Sequence, residues 1–133
     1  LPFADILVLT PIQAAMFVGI GKVYGFDIDV DRAIEIIGEI VGVIGMGMIA
    51  QHMVIALYKI GLPFAGGVFT IPLVWAFTYG MGRVAVYYFE QRAQGKTPDP
   101  AEIKRAFKSG RQEGKGQAAS MDKERVKDEY RDL

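Results

Sequence analysis

The sequence predicts an all-α protein, and two observations support this prediction. Residues 40–82 carry a single formal charge, Lys59, which divides them into two apolar runs of about the length that a helix needs to cross a bilayer. The segments on either side show helical alternation of apolar and polar residues, with capping residues at their ends. We therefore expect an N-terminal helix, a helical hairpin of two long apolar helices, and a polar, partly helical C-terminal tail.

Composition limits the classes that need to be considered. The 133 residues are enough for one core, and they contain no cysteine, which excludes disulfides and thiolate metal sites. Fifteen basic residues balance fifteen acidic ones, but twelve of the basic residues follow Gly82. We therefore divide the chain into a membrane-associated helical domain (1–90) and a charged, partly flexible tail (91–133). The opening residues lack an initiator Met and a basic signal region, so we expect a fragment of a longer protein.

The first helix has clear local signals. Thr10 can serve as N-cap, Pro11 suits the first helical position, and Gln13 lies three residues after the cap. Gly25 is placed to end the helix. These residues predict a helix from Pro11 to about Tyr24.

The second helix begins after an acidic cap, Asp29 or Asp31, and is amphipathic at first and apolar afterwards. If it continues to Tyr58, it is about 42 Å long. Several glycines in one helix indicate close approach of another helix, because each is unfavourable by about 1 kcal/mol in a water-exposed helix. The predicted packing positions are Gly38, Gly42 and Gly45 here, and Gly66, Gly67 and Gly80 on the next helix.

Lys59–Pro63 forms the predicted turn of the hairpin. A second long helix then runs from about Phe64 to Glu90 with Pro72 inside it, which buried or membrane helices tolerate. Amphipathic aromatic residues and an arginine at its end are typical of the membrane interface, and a core position is the alternative for the aromatic ones. The predicted interface anchors are Trp75, Tyr79, Arg83, Tyr87 and Tyr88.

The tail has a different character. We expect, in order, a break at Gly95–Pro98, a short amphipathic helix over Ala101–Lys108, a flexible segment over Ser109–Ser120 and a charged end over Met121–Leu133. The short helix should bury Ile103 and Phe107. The charged end can be helical through ion pairs, but it has too little apolar surface to fold alone, so order there would imply a partner.

The sequence gives little support for a catalytic, cofactor or metal site. Val41–Ala50 matches the dinucleotide fingerprint G-x-G-x-x-G/A, but no acidic residue follows at the required distance, and the next apolar segment contains Pro72. His52 is the one histidine, and a hydrogen bond within a helix bundle is favoured over metal or haem ligation, because it has no second ligand. We therefore predict no catalytic residue, cofactor or metal.

Several motifs together resemble a known family. They are Pro2–Ile6, Leu9–Gln13, Tyr24-Gly25, Thr78–Arg83 and Tyr88–Glu90, around a glycine-rich middle. With these motifs, residues 2–90 resemble the YcjF-like domain of unknown function that is appended to small Era-like GTPase domains in bacteria. The resemblance implies a helical, membrane-associated module that is attached to a GTPase or works with one. The chain departs from the family at Leu62–Gly67 and Pro72, where a Gly/Ala-rich segment is expected.

Two functions are consistent with this sequence. The preferred one is a non-catalytic anchoring or effector module for a GTPase domain, in cis or in trans. The alternative is a small accessory or assembly subunit of a larger membrane protein complex. In both cases we expect a lipid bilayer as partner and no nucleic acid, with a spanning hairpin and the basic tail on the cytoplasmic side. A bundle that buries the apolar runs within the protein is the rival structure.

Overall fold

A computed structural model describes the backbone of residues 2–45 and 66–131 and the side chains of residues 11–45, 75–117 and 120. This part of the chain forms four α-helices: α1 (Pro2–Val23), α2 (Val30–Ile44), α3 (Gly66–Ala93) and α4 (Pro100–Arg131). No strand occurs within these described ranges. The all-α prediction is therefore confirmed.

Helix α1 ends where predicted but begins earlier. Gly25 has φ of 88°, and the amides of Gly25 and Phe26 donate to the carbonyls of Lys22 and Gly21 at 3.0 and 2.9 Å, which closes the helix in a Schellman motif. The helix already runs through residues 2–10, so the predicted N-cap at Thr10 is wrong. Pro11 lies inside α1, where its missing N–H removes one helical hydrogen bond.

Helix α2 begins at the predicted cap. The Asp29 carboxylate accepts a hydrogen bond of 2.7 Å from the Arg32 amide, which satisfies one of the free N–H groups of the first turn. The helix ends at Ile44, because Gly45 leaves the helical region with φ of 92°. A continuous helix from this cap to Tyr58 is therefore wrong. The predicted hairpin turn at Lys59–Pro63 lies outside the described residues.

Helix α3 ends in a second Schellman motif, in which Gly95 has φ of 71° and Lys96 donates to the Gln91 carbonyl at 2.8 Å. The predicted break at Gly95–Pro98 is thus confirmed. Helix α4 then continues without interruption to Arg131, so the prediction of a flexible segment over Ser109–Ser120 is wrong. Glycines in that segment pack against α3, as described below, and this packing explains the order.

One hydrophobic core draws on all four helices. Its most deeply buried large side chains include Phe17 of α1, Ile40 of α2, Phe89 of α3 and Phe107 of α4. The Phe89 ring lies at the centre of the aromatic contacts, with its centroid 6.4 Å from that of Phe17. Ile103 and Phe107 are buried, as predicted, so the segment after residue 90 contributes to the same core.

The expected membrane-spanning hairpin is not supported. Among the described residues, no helix combines the length and the apolar character that crossing a bilayer requires. The physical reason is visible in α3, whose apolar side chains Met81, Val84, Ala85 and Phe89 are buried against other helices of the protein. For the part of the chain that the structure describes, the predictions of a transmembrane helix and of a membrane-spanning location with a cytoplasmic tail are therefore wrong.

Candidate interaction surfaces

The closest helix contact in the described structure joins α3 and α4 through glycines. A Cβ atom at Gly80 would lie 2.9 Å from the Phe107 ring, and one at Gly114 would lie 2.8 Å from the Cα of Ala76. A Cβ at Gly110 would overlap the Tyr79 carbonyl oxygen and lie 2.8 Å from the Gly80 Cα. The two backbones can approach this closely only because these positions lack side chains.

The predicted packing of Gly38, Gly42 and Gly45 against α3 is not found. Gly38 and Gly42 are exposed, and no described atom lies within 4 Å of a Cβ built on any of the three. Gly80 packs instead on α4. Gly66 and Gly67 lie at the start of α3, in the part whose side-chain surroundings are not described.

A second contact joins α1 and α3 through motif residues. The side-chain amide Nε2 of Gln13 donates a hydrogen bond of 3.0 Å to Thr78 Oγ1, although the two residues are 65 positions apart. One turn further on, a Cβ at Gly82 would lie 3.5 Å from the Met16 sulfur, in ordinary van der Waals contact. The Leu9–Gln13 and Thr78–Arg83 motifs therefore meet in space.

This α1–α3 contact leaves polar atoms unpaired. Gln13 is only 3% exposed, and its Oε1 has no hydrogen-bond partner among the described residues. Elsewhere, on α3 and α4, the indole Nε1 of Trp75 and the Nε of Arg111 are also buried without a hydrogen-bond partner in the described part of the chain. Such atoms reduce the stability of a folded protein, so substitution of the group that does bond to Gln13 should clearly lower the free energy of unfolding.

The predicted interface anchors make contacts within the protein. Trp75 and Tyr79 stack with centroids 6.1 Å apart, and Arg83 forms a two-point pair with Glu113 of α4 at 2.9 and 3.0 Å. The hydroxyl of Tyr87 accepts a hydrogen bond from the Asp99 amide at 3.0 Å, and Tyr88 belongs to the core. These contacts give all five residues a structural role within the fold.

One small cleft opens between α2, the end of α3 and the turn before α4. Its volume is about 150 Å³, and its lining is mostly apolar, with Tyr88 and Ile103 among the lining residues. Glu39 and Arg92 bring opposite charges to it, and the Arg92 guanidinium lies 5.4 Å from the Tyr88 ring centroid in a cation–π contact. The cleft is too small for a dinucleotide, since ligand pockets of drug size have about 300–1,000 Å³.

The large exposed apolar residues of the described chain all lie on α1 and α2. On α1, Ile12 is 52% exposed and Val23 82% exposed. Together with Ala15 and Gly19, which are also exposed, they follow helical spacing along one side, which we call the α1 outer face. Val30 and Ile34 are the corresponding residues of α2. Exposed apolar residues in a row are candidates for protein contact.

The described residues offer no candidate site for a metal or a cofactor. No group of acidic or histidine side chains within the described ranges could hold a metal ion. Val41–Ile44, which the dinucleotide alternative would make a strand, is the end of α2. Residues 46–50 of that fingerprint, and His52 after it, lie outside the described residues.

Some contacts were missed by the sequence analysis. The hydrogen bond between Gln13 and Thr78 had a weak signal, since both are polar residues within apolar helices. Gly110 and Gly114 had a stronger one, because their four-residue spacing is the spacing also noted at Gly38 and Gly42. The composition around them had instead suggested flexibility.

Comparison with known proteins gives no match to a family model, to a curated protein or to a solved structure. The resemblance to the YcjF-like domain therefore depends on the motifs of this sequence alone.

Proposed function

We propose that this chain is a non-catalytic helical module that works with a small GTPase, in cis or in trans, through protein contact. The proposal depends on the resemblance of residues 2–90 to the domain appended to Era-like GTPases. The observation that supports it most is the hydrogen bond between Gln13 and Thr78. It joins two of the motifs that carry the resemblance, as expected if these motifs define one structural unit.

Other motifs of the resemblance also have structural roles in the described chain. Gly25 adopts the positive φ that ends α1, and Phe89 lies in the core beside Phe26, with centroids 5.6 Å apart. The motifs therefore account for the end of α1 and for packing between α1 and α3. The finer architecture, a hairpin of two long apolar helices, depends on residues outside the described ranges and stays a prediction.

We propose the α1 outer face as the contact surface for the GTPase. Ile12 belongs to one of the resemblance motifs and Val23 immediately precedes another, yet both side chains are exposed. Their exposure is not required by the core, which α1 reaches through Ala14 and Phe17 on its other side. Burying two such side chains in an interface contributes roughly 1.5–3 kcal/mol each.

The test is isolation of the tagged chain from its native host, followed by detection of retained proteins that bind a fluorescent GTP analogue. The wild-type chain should retain a GTP-binding protein of small-GTPase size, whether loaded with GTP or GDP. The variant Ile12→Asp/Val23→Asp should lose it, because two carboxylates would enter an apolar contact.

The matched control is Val30→Asp/Ile34→Asp, which places the same two charges on exposed apolar positions of α2 and should keep the GTPase. Circular dichroism must show that each variant is folded. A stable stoichiometric complex that contains no nucleotide-binding protein would contradict the proposal and favour an accessory-subunit role.

A further inference from the structure

The surfaces of α2 and α4 carry opposite charges in regular rows. On α2, Asp31, Glu35 and Glu39 follow one another at four-residue spacing, and all three are exposed. We call them the acidic row, which spans about 12 Å along the helix. Arg32 lies beside it, 3.0 Å from the Glu35 carboxylate and 3.9 Å from that of Glu39. The hydrogen bond with Glu35 raises the pKa of Arg32, and the three acidic residues of the row outnumber this one basic residue.

On α4, a second row consists of Lys104, Lys108, Arg111 and Lys115, which we call the basic row. Spacings of four, three and four residues keep these side chains within about 60° of one another over about 16 Å of helix. The acidic residues of this part of α4 point elsewhere: Glu102 pairs with Arg105, and Glu113 pairs with Arg83. Lys104 and Lys108 are exposed and make no ion pair with a described residue.

The two rows have opposite charges and similar spacing, over about 12 Å of α2 and about 16 Å of α4. Lysines at four-residue spacing are about 6 Å apart along the helix axis, as are the carboxylates of the acidic row. Beside the acidic row lie the exposed apolar side chains of Val30 and Ile34 and the bare backbone at Gly38. An approaching helix would therefore meet apolar surface as well as charge, which exposed ion pairs alone do not provide.

From this complementarity we infer that the acidic row of one copy docks on the basic row of a second copy. Within one chain α2 packs against α4, so both rows lie on neighbouring helices. A two-fold axis can then join each row to its complement on the other copy, and the contact is made twice. A nucleic acid is the weaker candidate, because its binding domains are usually basic overall, whereas this chain has no net charge and a pI of 6.8.

Sedimentation velocity over a series of protein and salt concentrations tests this inference. The full chain should show a monomer–dimer equilibrium that weakens as NaCl is raised, because exposed charge pairs are screened. Lys104→Glu/Lys108→Glu and Glu35→Lys/Glu39→Lys should each weaken dimerisation by about tenfold or more. Lys22→Glu/Lys96→Glu reverses two exposed lysines away from both rows and should dimerise like the wild type.

The decisive experiment mixes the two charge-reversal variants. In the basic-row variant both rows contain glutamates, and in the acidic-row variant both rows contain lysines. Each row of one variant therefore has a complement on the other, and the mixture should form a heterodimer through both contacts. Circular dichroism checks that each variant is folded. If Glu35→Lys/Glu39→Lys is unfolded, Glu35→Gln/Glu39→Gln replaces it. This neutral variant should weaken dimerisation, and mixing should not restore dimerisation.

Three outcomes would overturn the inference. They are a wild-type chain that stays monomeric throughout, a mixture of folded charge-reversal variants that fails to associate, and a monomer that uses Lys104 and Lys108 to bind an acidic peptide or RNA. None of these outcomes bears on the GTPase contact, which uses the α1 outer face.

Discussion

Gly110 should be the position at which the smallest substitution does the most damage. In Gly110→Ala the new Cβ would overlap the Tyr79 carbonyl oxygen and lie 2.8 Å from both the Gly80 Cα and the Arg83 Cγ. Two of these three neighbours are backbone atoms, which cannot rotate away, so α3 and α4 must separate. Overpacking of this kind costs about 1–3 kcal/mol.

The higher helix propensity of alanine opposes this overpacking cost and has to be subtracted from it. Alanine is favoured over glycine within a helix by about 1 kcal/mol, so the net loss for Gly110→Ala should be up to about 2 kcal/mol in the free energy of unfolding. For a chain of this size, that corresponds to a fall in melting temperature of up to about 7 °C. Urea and thermal unfolding, followed by far-ultraviolet circular dichroism, measure both quantities.

Gly116 supplies the matched control in the same helix. Nothing described lies within 4 Å of a Cβ at this position, so Gly116→Ala should gain helix propensity without a clash and stabilise by up to about 1 kcal/mol. If Gly110→Ala were also stabilising, the close contact between α3 and α4 would not exist. From the sequence we had expected Gly110 to lie in a flexible tail and Gly42 to be a packing position; the structure reverses this, so Gly42→Ala should behave like Gly116→Ala.

Two further predictions concern single hydrogen bonds. Asp29→Ala removes the carboxylate that accepts from the Arg32 amide and should destabilise the protein by about 1 kcal/mol in urea unfolding, whereas Asp27→Ala, at an exposed position before the cap, should change little; equal effects would contradict the capping role. Thr78→Val leaves the buried Gln13 amide without its acceptor and should cost about 1–3 kcal/mol, and the double variant Gln13→Leu/Thr78→Val should recover part of that loss in a double-mutant cycle; simple additivity would show that the bond does not matter.

The features that the sequence predicted well are those fixed by local chemistry. Gly25 and Gly95 end their helices because only glycine adopts a positive φ without strain, and this holds whatever surrounds them. Asp29 caps α2 through atoms three residues apart. The burial of Ile103 and Phe107 followed from their four-residue spacing on an amphipathic helix.

The predictions that were wrong concern features that depend on what an apolar surface packs against. A charge-free run of spanning length indicates burial, but the run itself does not distinguish lipid from protein as the surrounding medium. In α3, side chains such as Met81 and Val84 pack into a core shared with α1 and α4. The rival structure, a bundle that buries its apolar residues internally, is the one that α3 follows.

The glycine pairs show why the partner helix could not be predicted from spacing. Gly38 and Gly42 on α2 and Gly110 and Gly114 on α4 have the same four-residue interval, yet only the second pair is buried. Close approach requires small residues on both helices at the same level. Opposite Gly110 and Gly114, α3 presents Gly80 and Ala76, so each bare backbone faces another small residue. That match between two segments 30 or more residues apart decides the packing, and a pattern read along either helix alone does not contain it.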